Sequence, residues 1–119
     1  MVERYDVVVA GGGPAGLAAA RVAAAEGGKV LLLELQAQIC GQTQSATWVP
    51  ADVITHPLKE SIVANMKEVR LHSRHKELSI SGDFGAIVDR RLFDKLLAAE
   101  AVASGAEIWV GSPVKELLV

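Results

Sequence analysis

An apolar run that leads into three spaced glycines constrains the fold of this chain more than any other feature. Val7 to Ala10 predicts a buried strand, and the alanine-rich stretch from Ala15 to Ala25 predicts a helix. Between them, Gly11, Gly13 and Gly16 have the spacing Gly-x-Gly-x-x-Gly. A strand, a glycine turn with this spacing and a helix are the opening parts of the dinucleotide-binding fingerprint.

Each residue of this turn has a physical reason to be there. Gly11 permits a tight turn off the strand, Gly13 leaves room for a pyrophosphate beside the backbone, and Gly16 lets the helix pack close to the strand. Pro14 fits the first helical turn, where its missing N–H group costs little. The first free N–H groups of the helix would point at the phosphates, and the helix dipole favours their negative charge.

A second strand and the acidic residue after it complete the fingerprint. Gly27-Gly28 indicates the end of the helix, and the continuous apolar run from Val30 to Leu33 predicts a parallel strand buried on both faces. The carboxylate of Glu34 can accept hydrogen bonds from both hydroxyls of an adenosine ribose and would repel a 2′-phosphate, which favours FAD or NAD over NADP. Two alternatives stay open: an ordinary βαβ unit without a ligand, and a solvated carboxylate at a strand end.

Composition excludes several other classes of protein. The chain has 119 residues, enough for one compact core, and its net charge of −2 gives no general attraction to nucleic acid. A single cysteine excludes an internal disulfide bond, and we predict no metal site. Charged residues interrupt the longest apolar stretches, and no basic segment precedes the first strand. We therefore expect a cytoplasmic protein without a membrane span or a signal peptide.

Residues Lys67 to Ser81 predict an antiparallel hairpin laid beside the parallel sheet. Apolar residues alternate with polar ones on both arms, which is the period of half-buried strands. These apolar residues are Val69, Leu71, Leu78 and Ile80. The turn, Ser73 to Glu77, and the residue before it hold His72, Arg74, His75 and Lys76. This group is interpreted either as an anion-binding patch or as the solvated tip of a hairpin.

The last third of the chain predicts a helix and further strands. Asp89 is placed as the N-cap of a helix that runs to about Ser104 and stops at Gly105. A short strand is expected from Glu107 to Val110, and Pro113-Val114 is expected to begin a last strand that the chain barely enters. The predicted fold class is therefore α/β, a Rossmann-type parallel sheet with an added antiparallel hairpin, incomplete at the C-terminus.

Four stretches of the sequence resemble the FAD-dependent geranylgeranyl reductases, within the broader hydroxylase-like flavoproteins. They are Tyr5 to Gly16 with Glu34, Ile62-Val63-Ala64-Asn65 with Lys67 and Arg70, Val88-Asp89-Arg90-Arg91-Leu92-Phe93-Asp94-Lys95, and Gly105-Ala106-Glu107-Ile108-Trp109-Val110. The Asp-Arg-x-x-Phe-Asp segment followed by Gly-Ala-Glu-Ile is the most specific part. The resemblance implies FAD bound in extended form and a flavin that carries hydride to isolated double bonds of a prenyl chain.

The resemblance also assigns cofactor contacts residue by residue. It implies a backbone contact from Ala15 to the pyrophosphate, Glu34 and its neighbour Leu35 beside the adenosine, and a backbone contact from Val114 to the adenine. Arg90 would face the flavin side of the cofactor. A cation in the first turn of a helix opposes the dipole, so an FAD oxygen could compensate it, and pairing with a neighbouring aspartate is the alternative. We identify no catalytic residue in the chain.

This sequence departs from the reductases at a cysteine and in length. Their Cys-Gly pair near the flavin falls, without gaps, on Ser45-Ala46, and Cys40-Gly41 matches only after a deletion. An inert, partly buried thiol is the more common state of a cysteine, and we expect it for Cys40. The reductases are much longer and add a Gly-Asp segment and a prenyl-substrate domain. We therefore interpret residues 1–119 as the N-terminal part of an FAD-binding domain, and the resemblance leaves open a full-length parent that is peripheral to the membrane. The alternative is a nucleotide-binding or interaction module without catalysis. We also expect self-association through an unfinished sheet edge near Leu117-Leu118-Val119.

Overall fold

The computed structural model describes residues 2–41 and 47–118, which form two compact units. The first unit combines the N-terminal part, up to residue 43, with residues 94–119, and the second spans residues 44–93. The expected Ser45-Ala46 match lies outside the described residues. No helix in the described part of the chain is long and apolar enough to cross a membrane.

The first unit is built on the predicted parallel sheet. Strands β1 (Val7–Ala10), β2 (Val30–Leu33) and β8 (Glu107–Trp109) lie in the order β1-β2-β8, and both pairs are parallel. Because β2 is the central strand, its first three side chains are buried, as its continuous apolar run predicts. The prediction of a buried β1 is wrong: Val7 and Val8 are 39% and 54% exposed, since β1 lies at an edge of the described sheet.

Helix α1 (Pro14–Ala25) connects β1 to β2 and contacts both strands. Its buried face consists of small or branched apolar residues at helical spacing: Leu17, Ala20 and Ala24. The predicted stop at Gly27-Gly28 is confirmed, because Gly27 has φ +91° and the Gly28 N–H donates to the Ala23 carbonyl at 3.1 Å.

The amino ends of the parallel strands are tied together by a tyrosine. The Tyr5 hydroxyl lies 2.7 Å from Glu3 Oε2 and 2.9 Å from Glu107 Oε2, at the start of β8. The hydrogen bond to Glu3, then desolvation and the hydrogen bond to Glu107, raise the pKa of Tyr5 above its ordinary value. The hydroxyl has one hydrogen, which it can donate to either carboxylate, and the hydrogen bond to Glu107 links β8 to the segment before β1.

The second unit holds an antiparallel sheet that the sequence analysis did not predict. Strands β3 (Trp48–Val49), β4 (Ile62–Asn65) and β7 (Ala86–Val88) lie in the order β3-β7-β4, and a 3₁₀-helix, Leu58–Ser61, precedes β4. Gly85 enters β7 with φ +94°, and a Cβ there would overlap the Val49 carbonyl oxygen. Only glycine therefore allows β3 and β7 to approach this closely.

The hairpin is present, but its surroundings differ from the prediction. Strands β5 (Glu68–His72) and β6 (Glu77–Ser81) pair as a separate two-stranded sheet in the second unit, not as an addition to the parallel sheet. The alternation correctly places the apolar residues on one face, but no element packs closely over that face, since Leu71 and Leu78 are each 55% exposed. Periodicity shows which residues share a face and does not show what covers it.

The C-terminal region follows the prediction as far as β8. Helix α2 (Arg90–Ala103) begins after Asp89, whose Oδ1 accepts the Arg91 N–H at 2.9 Å, which confirms the predicted N-cap. Gly105 has φ +107° and ends the helix, as predicted. The expected last strand at Pro113-Val114 is wrong: residues 113–118 form no strand, because no described strand pairs with them.

Candidate functional site

The glycine turn between β1 and α1 has the geometry that its spacing predicts. Gly11 has φ +104°, which favours glycine, and its N–H donates to the Leu33 carbonyl at 2.8 Å. A Cβ on Gly16 would overlap the Gly11 carbonyl oxygen and lie 3.3 Å from Val9 Cγ1. Gly16 therefore allows α1 to start directly against the turn and the strand that leads into it.

The N-terminus of α1 is open to solvent beside Gly13. Gly13 is the N-cap residue with extended backbone (φ −79°, ψ 177°), and a Cβ on it would meet no atom within 4 Å. No side chain caps this end, and the first turn of α1 carries no acidic residue, so no charge within the helix itself offsets the positive end of its dipole. Pro14 stands in the first turn, and Ala15 is exposed. This end suits a pyrophosphate, which accepts N–H hydrogen bonds and carries negative charge.

Glu34 lies at the carboxyl end of β2 and holds the glycine turn. Its Oε2 accepts the Gly12 N–H at 2.6 Å, and its Oε1 accepts the Gln36 N–H at 2.8 Å. The carboxylate is therefore fixed by the backbone, unlike the fully solvated strand end that was the alternative. Each carboxylate oxygen has a second lone pair, so both can still accept a ribose hydroxyl.

Gly12 is a site residue that the sequence analysis missed. A Cβ on Gly12 would lie 2.8 Å from Ile39 Cδ1 and 2.9 Å from Glu34 Oε2, so a larger residue would displace the carboxylate. The signal was the middle glycine of the run Gly11-Gly12-Gly13, a position that the Gly-x-Gly-x-x-Gly spacing leaves free.

The segment after β8 runs along the other side of Glu34. The Glu34 N–H donates to the Trp109 carbonyl at 2.8 Å, and the Ser112 N–H donates to the Glu34 carbonyl at 2.8 Å. Val114 follows two residues later and is half exposed, and Leu35 is exposed beside Glu34. The structure thus gathers the glycine turn, Glu34 and the chain after β8 at the carboxyl ends of three parallel strands, where α/β sheets bind ligands.

Two further candidates from the sequence, Arg90 and Cys40, are described by their own surroundings. Arg90 is the first residue of α2 and belongs to the second unit, so its role toward the cofactor remains a prediction. Cys40 is half-buried and has φ +54°, a left-handed conformation that is uncommon for a residue with a Cβ.

Comparisons with known proteins agree with this geometry. Residues 6–118 match the family described as FAD dependent oxidoreductase. Digeranylgeranylglycerophospholipid reductase from Picrophilus torridus is 37% identical and aligns with 99% of this chain, and a second such reductase from Methanopyrus kandleri is 39% identical over 87% of it. The chain spans 32% and 27% of these two relatives, so it corresponds to less than a third of their length.

Solved structures share the fold. A geranylgeranyl bacteriochlorophyll reductase-like protein from Thermoplasma acidophilum superposes with a TM-score of 0.83 at 30% identity, over 94% of this chain and 32% of that protein. The myxobacterial chondrochloren halogenase, an FAD-dependent enzyme, gives 0.81 at 21% identity over 99% of this chain and 31% of its own, which shows the fold alone. Together with the family match over nearly the whole sequence, these similarities confirm the resemblance to the reductases, and the chain belongs to the FAD dependent oxidoreductase family, with FAD as its cofactor.

Proposed function

We propose that this chain forms the ADP-binding part of the FAD site in a flavin-dependent reductase that acts on the geranylgeranyl chains of a glycerophospholipid. The observation that carries the cofactor half of this proposal is the link from Glu34 to the Gly12 N–H at 2.6 Å. This link ties the ribose-binding carboxylate to the turn that receives the pyrophosphate. Names of relatives at 37% and 39% identity support the lipid half.

Different groups of this chain would bind different parts of the cofactor. The free N–H groups in the first turn of α1 would donate to the pyrophosphate, with the open space at Gly13 allowing the approach. Glu34 would accept the two ribose hydroxyls, Leu35 and the backbone of Val114 would border the adenosine, and Arg90 would lie on the flavin side. Bound FAD supplies hydride-transfer chemistry, which no amino-acid side chain provides.

Calorimetric titration of the purified chain with four ligands tests the cofactor half. We expect ADP and FAD to bind, and riboflavin, which lacks the diphosphate and adenosine, to bind more weakly than ADP. Adenosine 2′,5′-bisphosphate should bind poorly because Glu34 repels a 2′-phosphate. Riboflavin binding as tightly as ADP, or equal affinity for the 2′-phosphorylated nucleotide, would contradict the proposed site.

An anaerobic assay tests the lipid half. The longest natural polypeptide that includes this chain is incubated with chemically reduced FAD and a geranylgeranyl glycerophospholipid, and product masses are read by mass spectrometry. Each reduced double bond adds two hydrogens to the lipid. If FAD is bound and the lipid is unchanged, the lipid half of the proposal is contradicted, and the alternative of a nucleotide-binding module without catalysis is favoured.

A further inference from the structure

The hairpin β5–β6 presents an apolar face to solvent. Leu71 pairs with Leu78 and Val69 with Ile80 across the two arms, so all four side chains lie on the same face. Leu71 and Leu78 are 55% exposed and Ile80 is 42% exposed, and every residue from 71 to 80 is exposed. A two-stranded hairpin on its own is marginally stable in water. This face is therefore available to a surface that would cover it.

The tip of the same hairpin is positively charged on a chain that is negative as a whole. Residues 70–77 have a formal net charge of +2 with histidines neutral, whereas the chain carries −2. Glu68 pairs with Arg70, and Glu77 lies 3.4 Å from His72 Nδ1. Arg74 and Lys76, in the turn, form no ion pair with any residue that the structure describes. The tip therefore attracts anions.

We propose that this hairpin docks on an anionic lipid surface, with Arg74 and Lys76 at the headgroups and Leu71 and Leu78 in the apolar boundary beneath them. Basic residues next to exposed apolar ones are the combination that binds such surfaces. A polar protein partner would leave the apolar face uncovered, and an acidic peptide would meet only the tip. The docking goes beyond the proposed function and requires neither flavin nor reduction.

Sedimentation with extruded vesicles tests the docking. The purified chain is mixed with vesicles of phosphatidylcholine alone, or of equal parts phosphatidylcholine and phosphatidylglycerol, at low and high salt. We expect sedimentation with the anionic vesicles at low salt and much less with the neutral ones. Arg74→Glu with Lys76→Glu should lower partitioning by about tenfold or more, since each basic residue near the surface contributes. Leu71→Asp with Leu78→Asp should also abolish sedimentation.

Two variants on the helices serve as matched controls. Val22→Asp with Val102→Asp changes apolar residues of α1 and α2 that are 54% and 55% exposed, the same exposure as the hairpin leucines. Arg21→Glu with Lys95→Glu reverses two exposed charges outside the hairpin. Both controls should sediment like the wild type. Circular dichroism checks folding, and Leu78→Ser replaces the double aspartate variant if that variant does not fold.

Several results would overturn the docking. The first is that the chain sediments with neither kind of vesicle, and the second is that it sediments equally with both. The third is that the control variants lose as much vesicle binding as the hairpin variants. A dimer that Leu71→Asp with Leu78→Asp disperses, without vesicle binding by the wild type, would mean that a second copy covers the face. Because no nucleotide is added, each of these outcomes is independent of the FAD site.

Discussion

At the scale of single residues, the carboxylate of Glu34 serves both the fold of the turn and the proposed ribose contact. Its two oxygens hold the N–H groups of Gly12 and Gln36. We expect Glu34→Ala to weaken ADP binding by about 1.5–3 kcal/mol, the range for hydrogen bonds to a charged group. This corresponds to roughly a 10- to 100-fold loss of affinity in calorimetry.

Glu34→Gln keeps the shape and one accepting oxygen, so an intermediate loss is expected. An unchanged affinity in Glu34→Ala would show that Glu34 only supports the turn.

Gly13 and Gly16 lie in one motif but should respond differently to a side chain. A Cβ on Gly13 meets nothing within 4 Å, so Gly13→Val should fold normally and lose ADP binding because its side chain fills the pyrophosphate space. A Cβ on Gly16 overlaps the Gly11 carbonyl oxygen, so Gly16→Val should lower the melting temperature. Circular-dichroism melts and calorimetry separate the two effects. Retained ADP binding in a normally folded Gly13→Val would refute the assignment.

The spacing of the motif predicts the roles of Gly11 and Gly16 because each role depends on backbone geometry within a few residues. It could not predict that Gly12 also excludes a side chain. That restriction comes from Glu34 and Ile39, which are distant in sequence and reach Gly12 only once β2 pairs beside β1. Residue roles that depend on a neighbouring strand are therefore hidden from a local pattern.

At the scale of elements, Asp89 is the cap on which the start of α2 depends. Its Oδ1 accepts the N–H groups of Arg91 at 2.9 Å and Leu92 at 3.4 Å. We expect Asp89→Ala to lower the free energy of unfolding by about 0.5–2 kcal/mol, measured by urea denaturation. Asp89→Asn keeps an accepting oxygen and should unfold close to the wild type. Equal stability of the alanine variant and the wild type would mean that this hydrogen bond adds nothing.

Elements with strong local signals are the ones that the sequence predicts. Three such signals predict the start or end of an element to within a residue or two: the glycine turn, the apolar run of β2 and the cap at Asp89. The short strands β3 (Trp48–Val49) and β7 (Ala86–Val88) were missed, because runs of two or three residues show no periodicity and pair with partners far along the chain. The exposure of the hairpin was missed for a related reason, since coverage is a tertiary property.

At the scale of the whole molecule, both outer strands of the described parallel sheet have a free edge. β1 and β8 each pair only with β2, and Val7, Val8 and Trp109 are between 39% and 54% exposed. After β8, Leu117 and Leu118 are 87% and 89% exposed. Free edges beside exposed apolar residues promote association between copies. The chain also spans 32% of the Picrophilus torridus reductase, and we have identified no catalytic residue in it.

We therefore expect the purified chain to bind ADP, to self-associate and to leave a geranylgeranyl lipid unreduced. Light scattering gives the mass, and anaerobic incubation with reduced FAD and the lipid gives the activity.

Val8→Lys places a charge on the edge strand and should reduce association, because a lysine there disfavours pairing of two edges. The matched control Val22→Lys changes an equally exposed valine on α1 and should leave the mass unchanged. Association that persists in Val8→Lys would assign the contact to another surface, such as the hairpin. A monomer that saturates the prenyl double bonds would show that these 119 residues carry the whole reaction.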